Sequence, residues 1–182
     1  MAWTRRYDDA EPQRINKWLA QSGVCSRREA EALIAQGLVS IDGETVEDAG
    51  RKILKGQTLT LSDAATTELN SAVSILIHKP AGYVSGQPEP GQIPAVRLLT
   101  REAVWGAPAA VPRKDDSLPP LGRLDKDSRG LLLVSNDGVL AKALIGPQSE
   151  LDKEYYVSVI GDLTEEKMER LRYGLELDGR EL

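Results

Sequence analysis

The sequence contains no phenylalanine, one cysteine and one histidine, and aromatic residues make up only 4% of it. Any hydrophobic core must therefore be largely aliphatic. A single cysteine, Cys25, excludes an internal disulfide and is typical of a reducing compartment, so we expect a cytoplasmic protein. Cys25 and His78 alone cannot assemble the usual zinc-ligand sets, so we expect no metal. No apolar run approaches the roughly 20 residues that cross a bilayer, and no apolar signal segment begins the chain, so we expect no membrane association.

The net charge of −5 argues at first against a nucleic-acid partner, but it is distributed unevenly. Residues 1 to 62 hold nine Lys and Arg and nine Asp and Glu, so the excess acidity lies in the rest of the chain. A neutral first part can still present a basic face, and local patches rather than net charge determine phosphate binding. Composition alone therefore leaves the partner open.

The first part of the chain, residues 13–61, predicts two helices, a hairpin and a further strand. In RINKWLAQSG the apolar residues recur at helical spacing. Ser26-Arg27-Arg28-Glu29 has the S-x-x-E form of a capping box at the start of a second helix. Asp42-Gly43 separates two alternating segments, which is a strong hairpin signal, and Gln57 to Leu61 predicts the last strand.

The rest of the chain predicts a second domain after a linker. Residues 62–71 contain one leucine and no periodicity, so we predict a linker there, and we take residues 1–12 as an N-terminal tail. The second domain, residues 72–182, mixes strands and helices without a regular βαβ rhythm. Its predicted elements are strands in SAVSILIHK, at Leu131 to Ser135 and at Lys153 to Ile160, and helices near Val96 to Leu99, around Leu140 to Leu144 and after Thr164. This mixture favours an α+β fold with a largely antiparallel sheet.

A crowded run of charges, LGRLDKDSRG at residues 121 to 130, directly precedes the apolar stretch Leu131 to Val134. Asp125 and Asp127 lie two apart, with arginines on either side. Two interpretations are open. The segment is either a solvated turn before a strand or a place where the fold holds one carboxylate at a site.

Four cations in the first part suggest a phosphate-binding surface. Arg27 and Arg28 begin the second helix, and Arg14 and Lys17 lie on the polar side of the first. Free N–H groups and the positive dipole end of a helix suit a phosphate backbone, although a solvated helix start would carry the same charges. RINKWLAQSGVCSRREAEALIAQGLVSIDGETV resembles the S4 RNA-binding domain. In that family the second helix and the following turn contact structured RNA, which implies RNA contacts for Arg27 and Arg28.

Three further segments occur in a family's order after the S4-like part: IHKPAGYVS, GRLDKDSRGLLLVSNDG and KEYYVSV. Together they resemble the RsuA-like family of ribosomal RNA pseudouridine synthases. The resemblance implies an S4-like domain joined to a mostly antiparallel pseudouridine-synthase sheet domain. It also implies ribosomal RNA as the partner, and we expect a monomer when the protein is full length.

The resemblance also implies roles for individual residues. It places the family's catalytic aspartate at Asp125 and, at Tyr155, the tyrosine that packs on the target uracil. The motif arginine, which in related synthases enters the RNA stack, falls at Arg123, whose alternative is an ion pair with Asp125 or Asp127. Lys79 and Tyr83, near the HKPAGY turn, would shape the rim of the site or contact RNA, and a structural role is the equal alternative.

The chemistry of this family explains the residue types. Uridine isomerisation involves no redox change, energy source or net atom transfer, so we expect no cofactor. It needs an ionised carboxylate that attacks the sugar-base system or removes a proton from it. We expect Asp125 to be partly desolvated beside a dry pocket, with nearby cations that keep it ionised. Asp127 is expected to be a turn or capping carboxylate.

One departure from the family pattern qualifies the expected activity. Family members continue with strands that carry a basic partner of the aspartate in a Q-I-R-like motif, whereas this sequence stops at GLELDGREL. We therefore expect a catalytic domain that is incomplete at its C-terminus, and a chain that binds RNA but turns over slowly or not at all.

Two other functions compete with this interpretation. The first is an S4-type protein that binds ribosomal RNA without modifying it, in which Asp125 is structural. The second is a hydrolase with Asp125 and Asp127 as paired acid and base, but residues two apart lie too close for most such geometries.

Overall fold

The computed structural model describes residues 2–107, 112 and 116–181, and it divides into two compact units, Met1–Glu150 and Leu151–Leu182. The α-helices are α1 (Ile15–Gln21), α2 (Arg27–Ala35), α3 (Asp63–Asn70), α4 (Gly138–Ile145) and α5 (Glu165–Arg172), and 3₁₀ turns span Ala95–Leu98 and Arg101–Ala103. The strands are β1 (Trp3–Arg6), β2 (Gln13–Arg14), β3 (Val39–Ile41), β4 (Glu44–Thr45), β5 (Lys52–Ile53), β6 (Thr58–Leu61), β7 (Ser74–Lys79), β8 (Tyr83–Val84), β9 (Ile93–Pro94), β10 (Pro120–Leu121), β11 (Gly130–Ser135), β12 (Glu176–Leu177) and β13 (Arg180–Glu181). None of the helices in these ranges is long and apolar enough to span a membrane.

The first sheet has the strand order β1-β6-β3-β4 and is antiparallel throughout. Helices α1 and α2 contribute Ile15, Leu19 and Leu33 to a buried core with the inward side chains of the sheet. That core is mainly aliphatic, as the composition predicts. Its aromatic part is Trp18, against which the Tyr7 ring packs edge-on at a centroid distance of 5.3 Å.

The local signals of the first part are confirmed. The Ser26 Oγ accepts from the Glu29 N–H at 3.2 Å, and the Glu29 carboxylate accepts from the Ser26 N–H at 2.6 Å, which completes the capping box. Between β3 and β4, Asp42 and Gly43 have φ angles of 50° and 88°. Two consecutive positive φ angles are what a two-residue hairpin turn requires, and Asp and Gly tolerate them.

The predicted N-terminal tail is instead part of the first sheet. Strand β1 pairs with β6 in the register Trp3 to Leu61, and Tyr7 is buried in the core. Tyr7 also continues the pairing, since its N–H donates to the Gln57 carbonyl at 2.8 Å. The charged residues of this segment made the strand undetectable in the sequence. Trp3 of the strand packs against the first core, and Tyr7, just after the strand, is buried in that core.

The predicted linker over residues 62–71 is a helix. Ser62 caps α3 by accepting from the Ala65 N–H at 3.1 Å, and Ala65 is buried in the first core with Leu69 packed beside it. The apolar contact of this helix is only those two residues, four apart, which is too little periodicity to detect in the sequence. The domain boundary that we placed here stays a prediction.

The second sheet has the antiparallel order β10-β11-β7, and β8 and β9 form a short parallel pair beside it. One face of β11 and β7 carries Leu132, Val134 and Ile77 into a second core. The other face is open, with Leu131 71% exposed and Leu76 67% exposed. The α+β class with a mostly antiparallel sheet is therefore confirmed, but the stretch after the charged run is buried on one face only.

The second unit contains α5 and the hairpin of β12 and β13. Thr164 caps α5, as predicted, by accepting from the Lys167 N–H at 3.4 Å. The strand predicted over Lys153 to Ile160 is wrong, because these residues form no strand in the structure. A strand needs a neighbour that hydrogen-bonds to its backbone, and no described segment pairs with this one.

The environment of Cys25 predicts an unreactive thiol. Cys25 is 1% exposed, and burial, together with the Glu29 carboxylate, raises its pKa to about 12. At pH 8 we expect a disulfide reagent such as 5,5′-dithiobis(2-nitrobenzoate) to modify the native thiol about 1,000-fold or more slowly than the urea-unfolded thiol, whose pKa is about 8.5. The neutral thiol stabilises the fold fully below pH about 8.5, and this contribution is lost as the pH rises towards 12.

The control for this experiment is Cys25→Ser with Ser117→Cys, since Ser117 is exposed and lies outside the helices and strands. Its thiol should react at nearly the same rate in the native and the unfolded protein. A native Cys25 that reacts within tenfold of its unfolded rate would contradict the buried position.

Candidate functional site

The charged run forms a tight turn on the surface between β10 and β11. The Ser128 N–H donates to the Asp125 carbonyl at 3.1 Å, which closes a four-residue turn that we call the aspartate turn, Asp125 to Ser128. Asp125 and Asp127 are both exposed on it. Turns lie at the surface because their backbone groups need water or a specific partner, so the solvated-turn interpretation of the local structure is correct.

A buried serine holds the residue just before the aspartate turn. The Ser85 Oγ donates to the Leu124 carbonyl at 2.7 Å and accepts from the Leu124 N–H at 2.9 Å. Both backbone groups of Leu124 are thereby bound to one side chain. The main chain entering Asp125 is fixed from behind, although the carboxylate itself is exposed.

A buried lysine holds the other end of the aspartate turn. Lys79 is 0% exposed, and its Nζ donates to the carbonyls of Ser128 at 2.7 Å, Tyr83 at 2.9 Å and Pro80 at 3.0 Å, with the Lys126 carbonyl farther away at 3.4 Å. These groups are all acceptors, which suits an ammonium with three donors. The predicted RNA contact at Lys79 is therefore wrong, because its amino group is enclosed and its donors are occupied.

Asp125 does not lie in a dry pocket of the described chain. The expected desolvation is wrong because the aspartate turn projects from the end of the sheet rather than into the second core. The ion pair with Asp125 or Asp127, which was the alternative role for Arg123, is not formed: within the described ranges the exposed Arg123 guanidinium makes no salt bridge. The carboxylates and the neighbouring cations are instead all open to an incoming polar molecule.

Asp127 has a smaller role than we expected. It occupies the third position of the aspartate turn, so its assignment to a turn is correct. Its carboxylate, however, is exposed and caps no backbone N–H in the described part of the chain. Asp125 and Asp127 also lie within one tight turn, so the objection that residues two apart are too close for most paired acid and base geometries still holds.

Tyr155 belongs to the second unit, where it is 61% exposed in the segment without strand structure. Its expected role against a target base rests on the sequence resemblance and stays a prediction. Metal ligation has no candidate in the described ranges, where no three His, Cys, Asp or Glu side chains converge.

The four predicted RNA-binding cations of the first part are all exposed. We call Arg14, Lys17, Arg27 and Arg28 the basic face. No salt bridge to any of them is found among the described residues. Lys17 lies in α1 and Arg27 and Arg28 lie in α2, whereas Arg14 ends strand β2 just before α1 rather than lying on the helix as expected. The two helices are fixed to each other, since the Asn16 amide donates to the Glu31 carboxylate at 2.7 Å. The basic face is therefore available to phosphates.

The N-terminus of α2 is closed, contrary to our expectation that its free N–H groups bind phosphate. The capping box occupies it, and the second oxygen of Glu29 accepts from the Gly138 N–H of α4 at 3.2 Å. A Cβ atom at Gly138 would lie 2.4 Å from the Ser26 Cβ, so only glycine allows this approach. Phosphate binding would thus rest on the guanidinium groups of Arg27 and Arg28, which point to solvent.

The structure adds a cation that sequence reasoning missed. Strand β2 pairs with β5 so that Arg14 and Lys52 are direct cross-strand neighbours, and both are exposed. Like charges placed opposite each other destabilise a sheet, so their proximity suggests a site for an anion. Nothing in the sequence shows this, because the two residues are far apart along the chain and only the strand register brings them together.

Comparison with known protein families matches two models to the chain. The S4 domain model matches residues 13–59, which carry the basic face. The RNA pseudouridylate synthase model matches residues 73–177, which include Lys79, Asp125 and Tyr155. The second match alone covers more than half of the chain.

Curated relatives agree with these matches. The ribosomal large subunit pseudouridine synthase B of Bacillus subtilis (strain 168) is 34% identical over 167 residues, which cover 91% of this chain and 63% of the relative. An uncharacterized RNA pseudouridine synthase of Aquifex aeolicus (strain VF5) is 33% identical over 165 residues, 91% of this chain and 62% of the relative. The chain thus spans less than two thirds of the length of these relatives.

A solved structure, described as a crystal structure of pseudouridylate synthase, is also similar. It is 24% identical in sequence, with a TM-score of 0.28, over 71% of this chain and 50% of that one.

Proposed function

Because the chain belongs to the RNA pseudouridylate synthase family, we propose that the protein isomerises uridine to pseudouridine in ribosomal RNA, with Asp125 as the catalytic carboxylate. The observation that carries the proposal is an exposed Asp125 whose backbone is fixed on both sides by buried side chains, Ser85 and Lys79. A carboxylate that no group of the described residues pairs with, on a backbone that is fixed on both sides, suits a reaction with an external substrate.

The reaction breaks the bond from the uracil nitrogen to the ribose, turns the base and forms a bond from carbon five to the same ribose carbon. A proton leaves carbon five, and one returns to the freed nitrogen, so atoms and electrons balance without a cofactor. Asp125 would attack the sugar-base system or remove a proton from it. Tyr155 would pack on the uracil, as the sequence resemblance implies.

The target base must leave its stack before it can reach Asp125, at a cost of a few kcal/mol. Arg123 supports this step in our proposal. It lies two residues before Asp125, is exposed and makes no ion pair in the described ranges, so its guanidinium is free to enter the RNA where the base has left. Arginine suits that position because its plane stacks on bases and it keeps its charge.

The basic face would bring the RNA to the protein. Residues 13–59 match the S4 domain, and Arg14, Lys17, Arg27 and Arg28 form an exposed cationic surface there. Phosphate contacts supply affinity and orientation rather than sequence selection. The choice of ribosomal RNA is supported by the name of the B. subtilis relative. A cytoplasmic, monomeric protein stays our expectation.

Asp125 and Asp127 give the direct test of the catalytic assignment. Asp125→Asn should preserve the fold and RNA affinity yet abolish isomerisation, because the amide has nearly the same shape but no anionic charge. Asp127→Asn should retain activity and change the free energy of unfolding by less than about 0.5 kcal/mol, since its carboxylate is exposed and caps nothing in the described structure. The assay is tritium release from RNA labelled at carbon five of uracil.

The experiment compares both variants in this chain and in a longer form matched to the full length of the relatives. Activity that survives Asp125→Asn would refute the assignment. RNA binding without tritium release from any wild-type form would instead support a non-catalytic S4-type RNA-binding protein.

RNA affinity should depend on Arg27 and Arg28. The Arg27→Ala/Arg28→Ala variant should bind a ribosomal RNA fragment more weakly, and its plot of log affinity against log salt should lose up to about two units of slope, because two phosphate contacts are removed. Titrations at several salt concentrations measure the slope.

The charge-matched control is Arg170→Ala/Arg180→Ala, two exposed arginines of the second unit to which no role is assigned. It should leave the slope unchanged. A slope that falls equally in both variants would mean that net charge, rather than the basic face, determines binding.

A further inference from the structure

We propose that Lys79 is a positioning residue, which fixes the backbone around Asp125 from a buried site and contacts neither RNA nor the reacting atoms. The inference rests on the proposed function of Asp125. It is drawn from the contacts of the Lys79 amino group, which join two separate turns of the chain.

The position of Lys79 is unusual for a lysine. It is the last residue of β7, on the face where Ile77 is buried, and it is fully enclosed. Its cross-strand neighbour is Gly130, the first residue of β11, whose φ of 138° is accessible almost only to glycine. The chain leaves the aspartate turn at this point and enters the strand, so the lysine lies directly behind the turn.

The donors of the Lys79 ammonium are used up by backbone carbonyls. It has three N–H groups, and the carbonyls of Ser128, Tyr83 and Pro80 lie within 3.0 Å of the nitrogen. The Lys126 carbonyl, at 3.4 Å, already accepts from the Gly82 N–H at 2.7 Å. No donor remains for a phosphate or for Asp125, which separates this role from the RNA contact first expected.

The two turns joined by Lys79 are residues 80–83 and the aspartate turn. A second bond, from the Gly82 N–H to the Lys126 carbonyl, connects the same turns directly. An apolar side chain at position 79 would leave buried carbonyls without a donor, which is costly. Arginine would keep the charge, but its planar fork does not reproduce a compact head with three donors.

The consequence for Asp125 follows from its exposure. Its carboxylate makes no hydrogen bond or ion pair with the described residues, so within that part of the chain its place is set by the main chain. Ser85 fixes that chain at Leu124 and Lys79 fixes it at Ser128. Loss of the Lys79 contacts would let the aspartate turn shift, and a misplacement of about 1 Å can lower a rate about 100-fold.

The test compares Lys79→Met with Lys126→Met in the full chain. Lys126 is exposed on the aspartate turn itself, so its variant removes a neighbouring charge without removing the buried contacts. In Lys79→Met, exchange of the Gly82 and Ser128 amide protons should speed up about tenfold or more relative to amides of β6, which reflects lost charge-assisted bonds. The salt slope of RNA binding should not change.

Activity is the second measurement, made in a form that releases tritium. Lys79→Met should lower kcat by about 100-fold with little change in KM. Lys79→Arg should recover less than about a tenth of the wild-type kcat. Amide exchange can be measured without any activity. The contacts of Lys79 can therefore be tested even if the protein is not a synthase. A salt slope that falls by one unit in Lys79→Met, with exchange at Gly82 and Ser128 unchanged, would overturn the proposal.

Should Lys79→Met fail to fold, the wild-type protein supplies the decisive measurement. The ¹⁵Nζ signal of Lys79 should be protected from solvent exchange at neutral pH and should correlate across hydrogen bonds with the carbonyl carbons of Tyr83 and Ser128. A Lys79 ammonium that exchanges as fast as the exposed lysines would equally overturn the proposal.

Discussion

The bonds from the buried Lys79 ammonium to backbone carbonyls are the constraint on which the geometry around Asp125 depends. A buried cation is normally paired with a carboxylate, since an isolated charge is costly to desolvate. Here carbonyl dipoles from two turns solvate it instead. Because the Lys79 ammonium binds carbonyls, it does not form an ion pair with Asp125, and the Asp125 carboxylate can interact with a substrate.

In the first part of the chain, too, buried groups fix the backbone and the charged side chains on it are exposed. The capping box and the bond from Gly138 to Glu29 satisfy the N-terminus of α2 and seat it against α4, while Arg27 and Arg28 remain exposed. Pairing Arg14 with Lys52 costs stability that a purely structural sheet would avoid. In both places exposed charged side chains lie on backbone that buried groups hold.

Signals carried by neighbouring residues predicted much of this fold. The Ser26 capping box, the Asp42-Gly43 turn and the Thr164 cap are local devices, and all three form as expected. Features that depend on distant partners were missed. Strand β1 and the pairing of Arg14 with Lys52 exist through register across many residues, and α3 contributes only a small apolar contact. The burial of Lys79 was missed because lysine is seldom enclosed, and only the fold reveals the carbonyls that make it possible.

The central claim is that this protein converts a uridine of ribosomal RNA by means of Asp125. Mapping of pseudouridines by carbodiimide modification and reverse transcription, in cells with and without the gene, tests it most directly. The account predicts that at least one ribosomal position loses its pseudouridine when the gene is deleted, and that the wild-type gene restores it whereas Asp125→Asn does not. An unchanged map after deletion, or restoration by Asp125→Asn, would contradict it.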